Sequence, residues 1–299
     1  MKRARPETLV EYLIEYALTR ELERETLRQY EIAVQLYDRW RAGHGMDVAR
    51  LNCLDELELS AWLRDYAASG RAPSTVRSKR VMLVTLWRQA ADDGYCEPPR
   101  RRIRSVRVWL DAPTCWTDQE VYRLLEACQE LPRWHRCGLR RSIWWELAVR
   151  VAWDTGLRWG DLIRLCVDQI PPTGFFAMAQ HKTKRIAVCR LDAPTMELLQ
   201  ESLEACPREL VVPWLSSRET FNDQVRTLVR RAGIRAGTWK WLRRASGTDV
   251  EIQQPGAATR QLGHKAGSTV AYTNYVDPRL VAAAGQFVYP RTLPRIRRA

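Results

Sequence analysis

The stretch Asp154-Thr155-Gly156-Leu157-Arg158-Trp159-Gly160-Asp161-Leu162-Ile163 decides the fold of this chain, because it predicts a sharp corner between two helices. An apolar run from Ile143 to Trp153 precedes it, and the helical period resumes after it. Gly156 can adopt the left-handed conformation that ends a helix. Arg158 then lies on a rigid corner, where its guanidinium suits two-pronged contact with a phosphate. Taken alone, the stretch is equally compatible with a glycine-capped helix followed by a solvated arginine.

Composition points to a polyanionic partner. The chain has 299 residues and a formal net charge of +13, from 48 Lys+Arg against 35 Asp+Glu. This length fits one large domain or two ordinary ones. The basic charge is spread along the chain, and it favours nucleic acid as the binding partner. The sequence contains no apolar run of membrane-spanning length, so we expect no membrane association and a cytoplasmic location.

The cysteines and histidines argue against a metal site. Eight cysteines are scattered without a C-x-x-C pair, and the chain has only four histidines. A zinc site or a disulfide framework is therefore not expected, and neither is any cofactor.

The N-terminal third predicts a helical domain with a basic surface. Its fourth helix carries an apolar face and, opposite, a basic one, and the Pro98-Pro99 pair is followed by a run of arginines. We expect a DNA-binding domain over 1–96, a basic linker over 97–112 and a second domain with a C-terminal tail over 113–299. An ordinary solvated face is the alternative for these charges. The candidate DNA contacts are Arg77, Lys79, Arg80, Arg100, Arg101, Arg102 and Arg104.

The second domain presents polar residues at separate points along the chain. Two short strands, 175–180 and 185–191, are predicted on either side of a turn that contains Lys182 and its rival Lys184. Each feature alone has an ordinary structural explanation, such as a helix cap, a turn lysine or a half-buried aromatic. The later candidates, in order, are Lys240, Arg243, His264, Tyr272 and Tyr275.

In this order the residues resemble the tyrosine recombinases, the phage-integrase family. That family has an arginine in a T-G-x-R corner, an acidic residue soon after it, a hairpin lysine, a His-or-Lys-x-x-Arg box, an L-G-H box and a late tyrosine. Nearly the whole chain is covered, and the ordered set is far more specific than any single motif. The matching residues are Arg158, Asp161, Lys182, Lys240, Arg243 and His264.

The sequence departs from the family pattern at two places. Lys240 stands where histidine is commoner, which affects the detail of proton transfer rather than the class. Tyr272 falls slightly short of the usual distance past His264, and Tyr275 falls slightly beyond it. We favour Tyr275 as nucleophile, because the Val276-Asp277-Pro278 segment resembles the one that often follows it, and we keep Tyr272 as the alternative.

The resemblance implies a mainly α (α+β) fold. A helical, SAM-like core-binding domain precedes a mixed α/β catalytic domain with a small β-hairpin sheet. It also implies a site-specific DNA recombinase (integrase) of bacterial or phage type, associated with the nucleoid. Such an enzyme acts as a homo-tetramer on two duplex DNA sites, sometimes with an accessory directionality factor, and its C-terminal tail docks on a neighbouring subunit or on its own domain.

The chemistry is consistent with this resemblance. A tyrosine hydroxyl can conserve the phosphodiester energy in a 3′-phosphotyrosyl link without a metal. Two arginines and a histidine can stabilise the charged transition state, Lys182 can protonate the leaving oxygen, Lys240 can contact the phosphate, and Asp161 can orient an arginine. The rival functions are a type IB topoisomerase-like enzyme and a catalytically silent DNA-binding protein of the same fold.

Overall fold

The structure is a computed structural model that describes residues 5–104, 107 and 111–284. The chain divides into two compact units, Met1–Leu110 and Asp111–Ala299. The tail beyond Ala284 and the predicted-linker positions 105, 106 and 108–110 lie outside the described residues. The predicted domain limits at 96/97 and 112/113 stay predictions.

The described part of the first unit is helical. Thr8 opens the first helix with a capping box, because its side chain accepts from the backbone N–H of Glu11 while the Glu11 carboxylate accepts from the Thr8 N–H. Buried aromatic rings, among them Tyr12, Tyr37 and Trp62, pack between the helices. The helices are α1 (Leu9–Thr19), α2 (Arg24–Gly43), α3 (Glu56–Ala68) and α4 (Pro73–Asp92), with a 3-10 turn at Leu51–Cys53.

Part of the predicted basic linker packs on this first unit. Ile103 is buried in its core, and its carbonyl accepts a 2.9 Å hydrogen bond from Arg80 Nε. The backbone N–H groups of Arg100 and Arg101 both donate to the carboxylate of Glu56. These contacts fix the backbone of this segment and leave its arginine side chains exposed.

The second unit combines nine helices and one hairpin within its described residues. Thr117 caps its first helix with a second capping box. The elements are α5 (Asp118–Gln129), α6 (Arg141–Thr155), α7 (Trp159–Leu162), β1 (Phe175–Ala179), β2 (Ile186–Arg190), α8 (Ala193–Ala205), α9 (Arg218–Arg231), α10 (Trp239–Gln253), α11 (Ala257–Gln261), α12 (Val270–Asn274) and α13 (Pro278–Ala284), with a 3-10 turn at Val167–Gln169.

The hairpin is a two-stranded antiparallel sheet. Phe175 pairs with Arg190 and Ala179 with Ile186, so residues 180–185 form the connecting turn. Side chains alternate between exposed and buried along both strands, as the period of two requires. The predicted mainly α fold with one small hairpin sheet is confirmed.

Helix α6 forms the centre of the second unit. Eleven of its fifteen residues are buried, and it packs against α5, α8 and α10. The buried Arg150 side chain pairs with Glu146 one turn earlier at 2.9 Å, so both charges are compensated inside the core. The end of this helix, at the glycine corner, is therefore held in a rigid setting.

The described part of the C-terminal tail folds back on its own unit. Helix α13 packs against α10, and Leu280 contacts the main core of the second unit. No helix in the described ranges has the length and apolarity needed to cross a membrane.

Candidate active site

The glycine corner has the predicted geometry. Gly156 ends α6 in the left-handed region, with φ of 60°, and its N–H donates to the carbonyl of Ala152 at 3.0 Å. A Cβ at this position would lie 3.0 Å from Cδ2 of Leu262 and 3.3 Å from Oγ of Ser246. Glycine is therefore required both for the backbone conformation and for the close approach of the Leu262 segment.

Arg243 ties this corner to the Leu262-Gly263-His264 segment. It lies on α10, is 3% exposed, and donates to the carbonyls of Gly156 and Leu262, the latter at 2.7 Å. Its Nε is buried and has no hydrogen-bond partner among the described residues. Burial, followed by the charge of nearby Arg158, lowers the pKa of Arg243 to about 10. The buried guanidinium thus keeps one N–H available for an anion.

Arg158 follows the corner directly and precedes the short helix α7. Its guanidinium is partly exposed and donates to Oε1 of Gln180 at 2.6 Å. Gln180 in turn donates to the carbonyl of Leu262, which also accepts from Arg243, so both arginines belong to one hydrogen-bond network. The sequence prediction that these two residues share one site is consistent with this geometry.

Tyr275 lies among these cations. The Arg243 Cζ is 4.8 Å and the Lys240 Nζ 5.3 Å from the centre of its ring, and the ring centre of His264 is 5.3 Å away. Burial by itself raises the pKa of Tyr275, but the charges of Arg243, Arg158 and Lys240 outweigh it and lower the pKa below its ordinary value. The phenolate form is therefore stabilised at this position.

Tyr272 lies in a different environment. It is 42% exposed, and its hydroxyl donates to the carboxylate of Glu251 at 3.3 Å. Burial and the negative charge of Glu251 raise the pKa of Tyr272, the opposite of the effect on Tyr275. Of the two tyrosines left open by the sequence, Tyr275 has the surroundings of a nucleophile.

His264 is presented by the Leu262-Gly263 turn, in which Gly263 has a φ of 63°. Both ring nitrogens are buried and lack hydrogen-bond partners among the described residues. Burial, then Arg243 and Arg158, lower the pKa of His264 to about 4, so the ring is neutral at pH 7. Two buried nitrogens without partners leave this ring ready to bond a group that enters the site.

Two lysines approach the cluster from different elements. Lys240 lies one turn before Arg243 on α10, and its pKa is lowered by burial and then by Arg244, with a smaller effect from Lys182. Lys182 is exposed on the hairpin turn, as predicted. Its rival Lys184 has a left-handed backbone, with φ of 54°, in the same turn.

Asp161 anchors the hairpin. It is 2% exposed, and its Oδ1 accepts from the backbone N–H of His181 at 2.7 Å, next to Lys182. The sequence assigned this carboxylate to an arginine, whereas its hydrogen bond in the structure goes to the turn backbone. Its charge also acts favourably on the buried Arg243.

Gln180 was missed by the sequence reasoning. It directly follows β1, is 1% exposed, and accepts the hydrogen bond from Arg158. One signal was present in the sequence, because the alternation that buries Phe176 and Met178 also buries position 180, where a polar residue stands.

The basic candidates of the first unit differ in exposure. Arg77 is exposed on α4, whereas Lys79 is 5% exposed and donates to the carbonyl of Gln29 at 3.2 Å. Burial lowers the pKa of Lys79. Lys79 therefore does not lie on the basic surface as expected, and Arg80 uses its guanidinium to hold Ile103. The other exposed candidates are Arg100, Arg101, Arg102 and Arg104.

Comparison with known proteins shows the family of this chain. The model of the phage integrase family matches residues 115–279, more than half of the chain. The chain belongs to the phage integrase family and is a site-specific DNA recombinase of the tyrosine type. No curated protein matches it at a significant level of sequence similarity.

Solved structures share the fold at low sequence identity. A lambda integrase tetramer bound to a Holliday junction is 21% identical with a TM-score of 0.70, over 96% of this chain and 80% of that one. A XerH site-specific recombinase bound to its difH substrate is 17% identical with a TM-score of 0.69, over 93% and 84%. The Tn1549 transposon integrase in complex with circular intermediate DNA is 11% identical with a TM-score of 0.67, over 94% and 99%.

Proposed function

We propose that this recombinase cuts one DNA strand at a time through a covalent bond between Tyr275 and the 3′ phosphate. The observation that carries the proposal is the position of Tyr275, whose ring lies against Arg243, Lys240 and His264. A phenol in a cluster of cations loses its proton more readily and becomes a better nucleophile.

The bond changes follow from this placement. Tyr275 gives its proton to the neutral imidazole of His264, and its oxygen bonds to phosphorus. The bond from phosphorus to the 5′ oxygen breaks, and the leaving oxygen takes a proton from Lys182. Religation is the same sequence reversed, with the 5′ hydroxyl of another strand as nucleophile. The phosphodiester energy is kept in the phosphotyrosyl link throughout.

The two arginines carry the electrostatic part of catalysis. The non-bridging oxygens of a pentavalent phosphate gain negative charge in the transition state, and Arg158 and Arg243 can donate to them. The unpartnered Nε of Arg243 supplies one donor that has no other role among the described residues. His264 can supply a second donor from the ring nitrogen that does not accept the Tyr275 proton. Lys240 adds charge from the same helix face.

Double-stranded DNA is the proposed partner, bound as specific recombination sites. The exposed arginines of α4 and of residues 100–104 can neutralise backbone phosphates. The lambda integrase relative is described as a tetramer on a Holliday junction, which supports a homo-tetramer on DNA for this chain as well. We extend the proposal to strand exchange between two sites, with an accessory directionality factor as an optional partner.

A suicide-substrate assay tests the proposal. Nicked duplexes from the ends of the genetic element that encodes the chain are incubated with wild type and resolved on a denaturing gel. A DNA–protein adduct is expected for wild type and for Tyr272→Phe, and none for Tyr275→Phe. Tyr272→Phe is the matched control, since it makes the same chemical change three residues away.

The other outcomes identify the rivals. Loss of the adduct with Tyr272→Phe alone would move the nucleophile to that residue. DNA binding without an adduct for wild type would favour a catalytically silent protein. Relaxation of supercoiled DNA by a monomer, without exchange between sites, would favour a topoisomerase-like activity.

A further inference from the structure

Gln180 connects three segments of the site that are far apart in sequence. Its Oε1 accepts from Arg158 at 2.6 Å and from the hydroxyl of Thr183 at 3.0 Å, and its Nε2 donates to the carbonyl of Leu262 at 3.3 Å. One buried amide thus joins the glycine corner, the hairpin turn and the Leu262-Gly263-His264 box.

The amide chemistry of glutamine suits this position. A side-chain amide offers an oxygen that accepts two hydrogen bonds and an NH2 group that donates. Both lone pairs of Oε1 and one N–H are used here, and the side chain is 1% exposed. The fit is tight, because a Cβ at Gly263 would lie 2.6 Å from Nε2 of Gln180. The glycine of this box therefore makes room for the amide as well as for the turn.

The backbone of Gln180 also closes the turn that carries Lys182. Its N–H donates to the carbonyl of Arg185 and its carbonyl accepts from the N–H of Lys184, both at 2.8 Å. Asp161 fixes the next residue, His181, from the other side. Lys182 is thus presented from a turn that is held at both ends.

The contact with Arg158 has the most direct consequence for catalysis. An arginine side chain has many rotamers, and ordering them at the moment of reaction costs entropy. A short, charge-assisted hydrogen bond from a buried acceptor selects one orientation beforehand. The remaining N–H groups of the guanidinium are left for the phosphate.

We propose that Gln180 is a positioning residue for strand cleavage, whose side chain holds Arg158 in its reactive orientation. The proposal rests on the proposed function, since it concerns the phosphoryl transfer at Tyr275. Gln180 does not touch the DNA in this account, and it acts through Arg158.

The principal test replaces Gln180 by methionine, which has similar length and no hydrogen bonds of this kind. The rate of adduct formation at saturating nicked DNA should fall roughly 10- to 100-fold, the usual size for a lost hydrogen bond to a charged group. The dissociation constant for DNA should stay within about 3-fold of wild type. Gln129→Met is the matched control, because Gln129 bonds Glu146 in the core, away from the site, and should cleave like wild type.

A double-mutant cycle separates positioning from general damage. In an Arg158→Lys background the guanidinium fork is already gone, so Gln180→Met should slow cleavage by no more than about 3-fold. An equal loss in both backgrounds would mean that Gln180 does not act through Arg158 and would overturn the proposal. So would wild-type cleavage by Gln180→Met.

A second variant covers the case in which Gln180→Met does not fold. Thr183→Val removes one hydrogen bond to Oε1 from the exposed turn and leaves the core unchanged. Thr183→Val should slow cleavage a few-fold in the wild-type background and leave the rate unchanged in the Arg158→Lys background. An unchanged cleavage rate in both backgrounds would overturn the proposal. Absence of any adduct with the unmodified protein would overturn the proposed function and this inference together. If the unmodified protein cleaves and Gln180→Met cleaves at the same rate, this inference alone is overturned.

Discussion

We expect Asp154 to make the stability of the second unit depend on pH. This residue lies on the last turn of α6, four positions before Arg158, and its carboxylate accepts from the backbone N–H of Asp192 at 3.1 Å. Burial and the charge of Asp192 raise the pKa of Asp154 from an ordinary 3.8 to about 7. The backbone carbonyl of Asp154 also accepts from Gln261 at 2.6 Å, next to the Leu262 box.

The direction of the effect follows from proton linkage. The unfolded chain releases the Asp154 proton near pH 3.8, whereas the folded protein keeps it until about pH 7. Between these values the unfolded state binds fewer protons, so stability falls as the pH rises. The contribution is fully present below about pH 4 and is lost as the pH passes through 7. The difference between the two pKa values corresponds to at most about 4 kcal/mol. Because Asp154 keeps some solvent contact, we expect about 2 kcal/mol in practice.

The perturbation is Asp154→Asn, which keeps the acceptor for the Asp192 N–H and removes the charge. At pH 8 this variant should be more stable than wild type by about 2 kcal/mol, and at pH 5 the two should differ little. Urea unfolding followed by tryptophan fluorescence at pH 5, 6, 7 and 8 measures the difference. Asp168→Asn, at an exposed position of the same unit, is the control. Parallel pH profiles for wild type and Asp154→Asn would refute the reasoning, as would a stabilisation that is largest at pH 5.

Three further changes test the site and the DNA surface. Gly156→Ala should cost about 1–2 kcal/mol of unfolding free energy, measured by urea titration, because alanine is strained at its positive φ, and it should also slow adduct formation. Asp161→Ala removes a charged hydrogen bond to the hairpin backbone and should slow adduct formation roughly tenfold. Asp161→Asn keeps an acceptor and should retain most of the activity. Equal rates of adduct formation for the two variants would contradict this prediction. Arg77→Glu should weaken DNA binding in a fluorescence titration and flatten its salt dependence, while Lys79→Met leaves both unchanged, because the first residue is exposed and the second is buried.

Local sequence patterns were sufficient to predict the structure at positions where the backbone conformation requires a particular type of residue. Gly156 is the clearest case, since a left-handed helix end next to a packed segment leaves few alternatives. The capping boxes at Thr8 and Thr117 and the alternation along the hairpin are of the same kind. These patterns act within a few residues, so they can be predicted before the tertiary structure is known.

The assignment of Lys79 shows a limit of charge patterns. Its charge suggested the basic face, but it lies three residues after Val76 and four before Leu83, which is the spacing of the apolar face. The helical period therefore already placed Lys79 inside, and the period rather than the charge decided the outcome. Its ammonium group is accommodated by hydrogen bonds to Gln29 that no sequence pattern predicts.

The choice between the two tyrosines depended on tertiary neighbours. Tyr272 and Tyr275 are three residues apart, and sequence spacing favoured neither strongly. The structure separates them because α12 ends at Asn274, so Tyr275 leaves the helix and packs on Arg243, while Tyr272 stays on it beside Glu251. Which charge faces each ring is fixed by α10, a segment more than twenty residues earlier.

The cluster carries an excess of positive charge, which suits the binding of an anion. Arg243 is almost fully buried with an unsatisfied Nε, and its pKa is lowered by burial and by Arg158. Burial, and then the same two arginines, lower the pKa of His264 and keep its ring neutral. Both effects mean that holding these cations together costs folding free energy. The buried carboxylate of Asp161 offsets part of this cost, because its charge acts favourably on Arg243. In the mechanism we propose, a phosphodiester that enters supplies the missing charge. A pentavalent transition state, which carries more negative charge, would relieve more of this repulsion than the ground state does. Repulsion among the cations is thus converted into selective stabilisation of the transition state, which is the form of binding that accelerates a reaction.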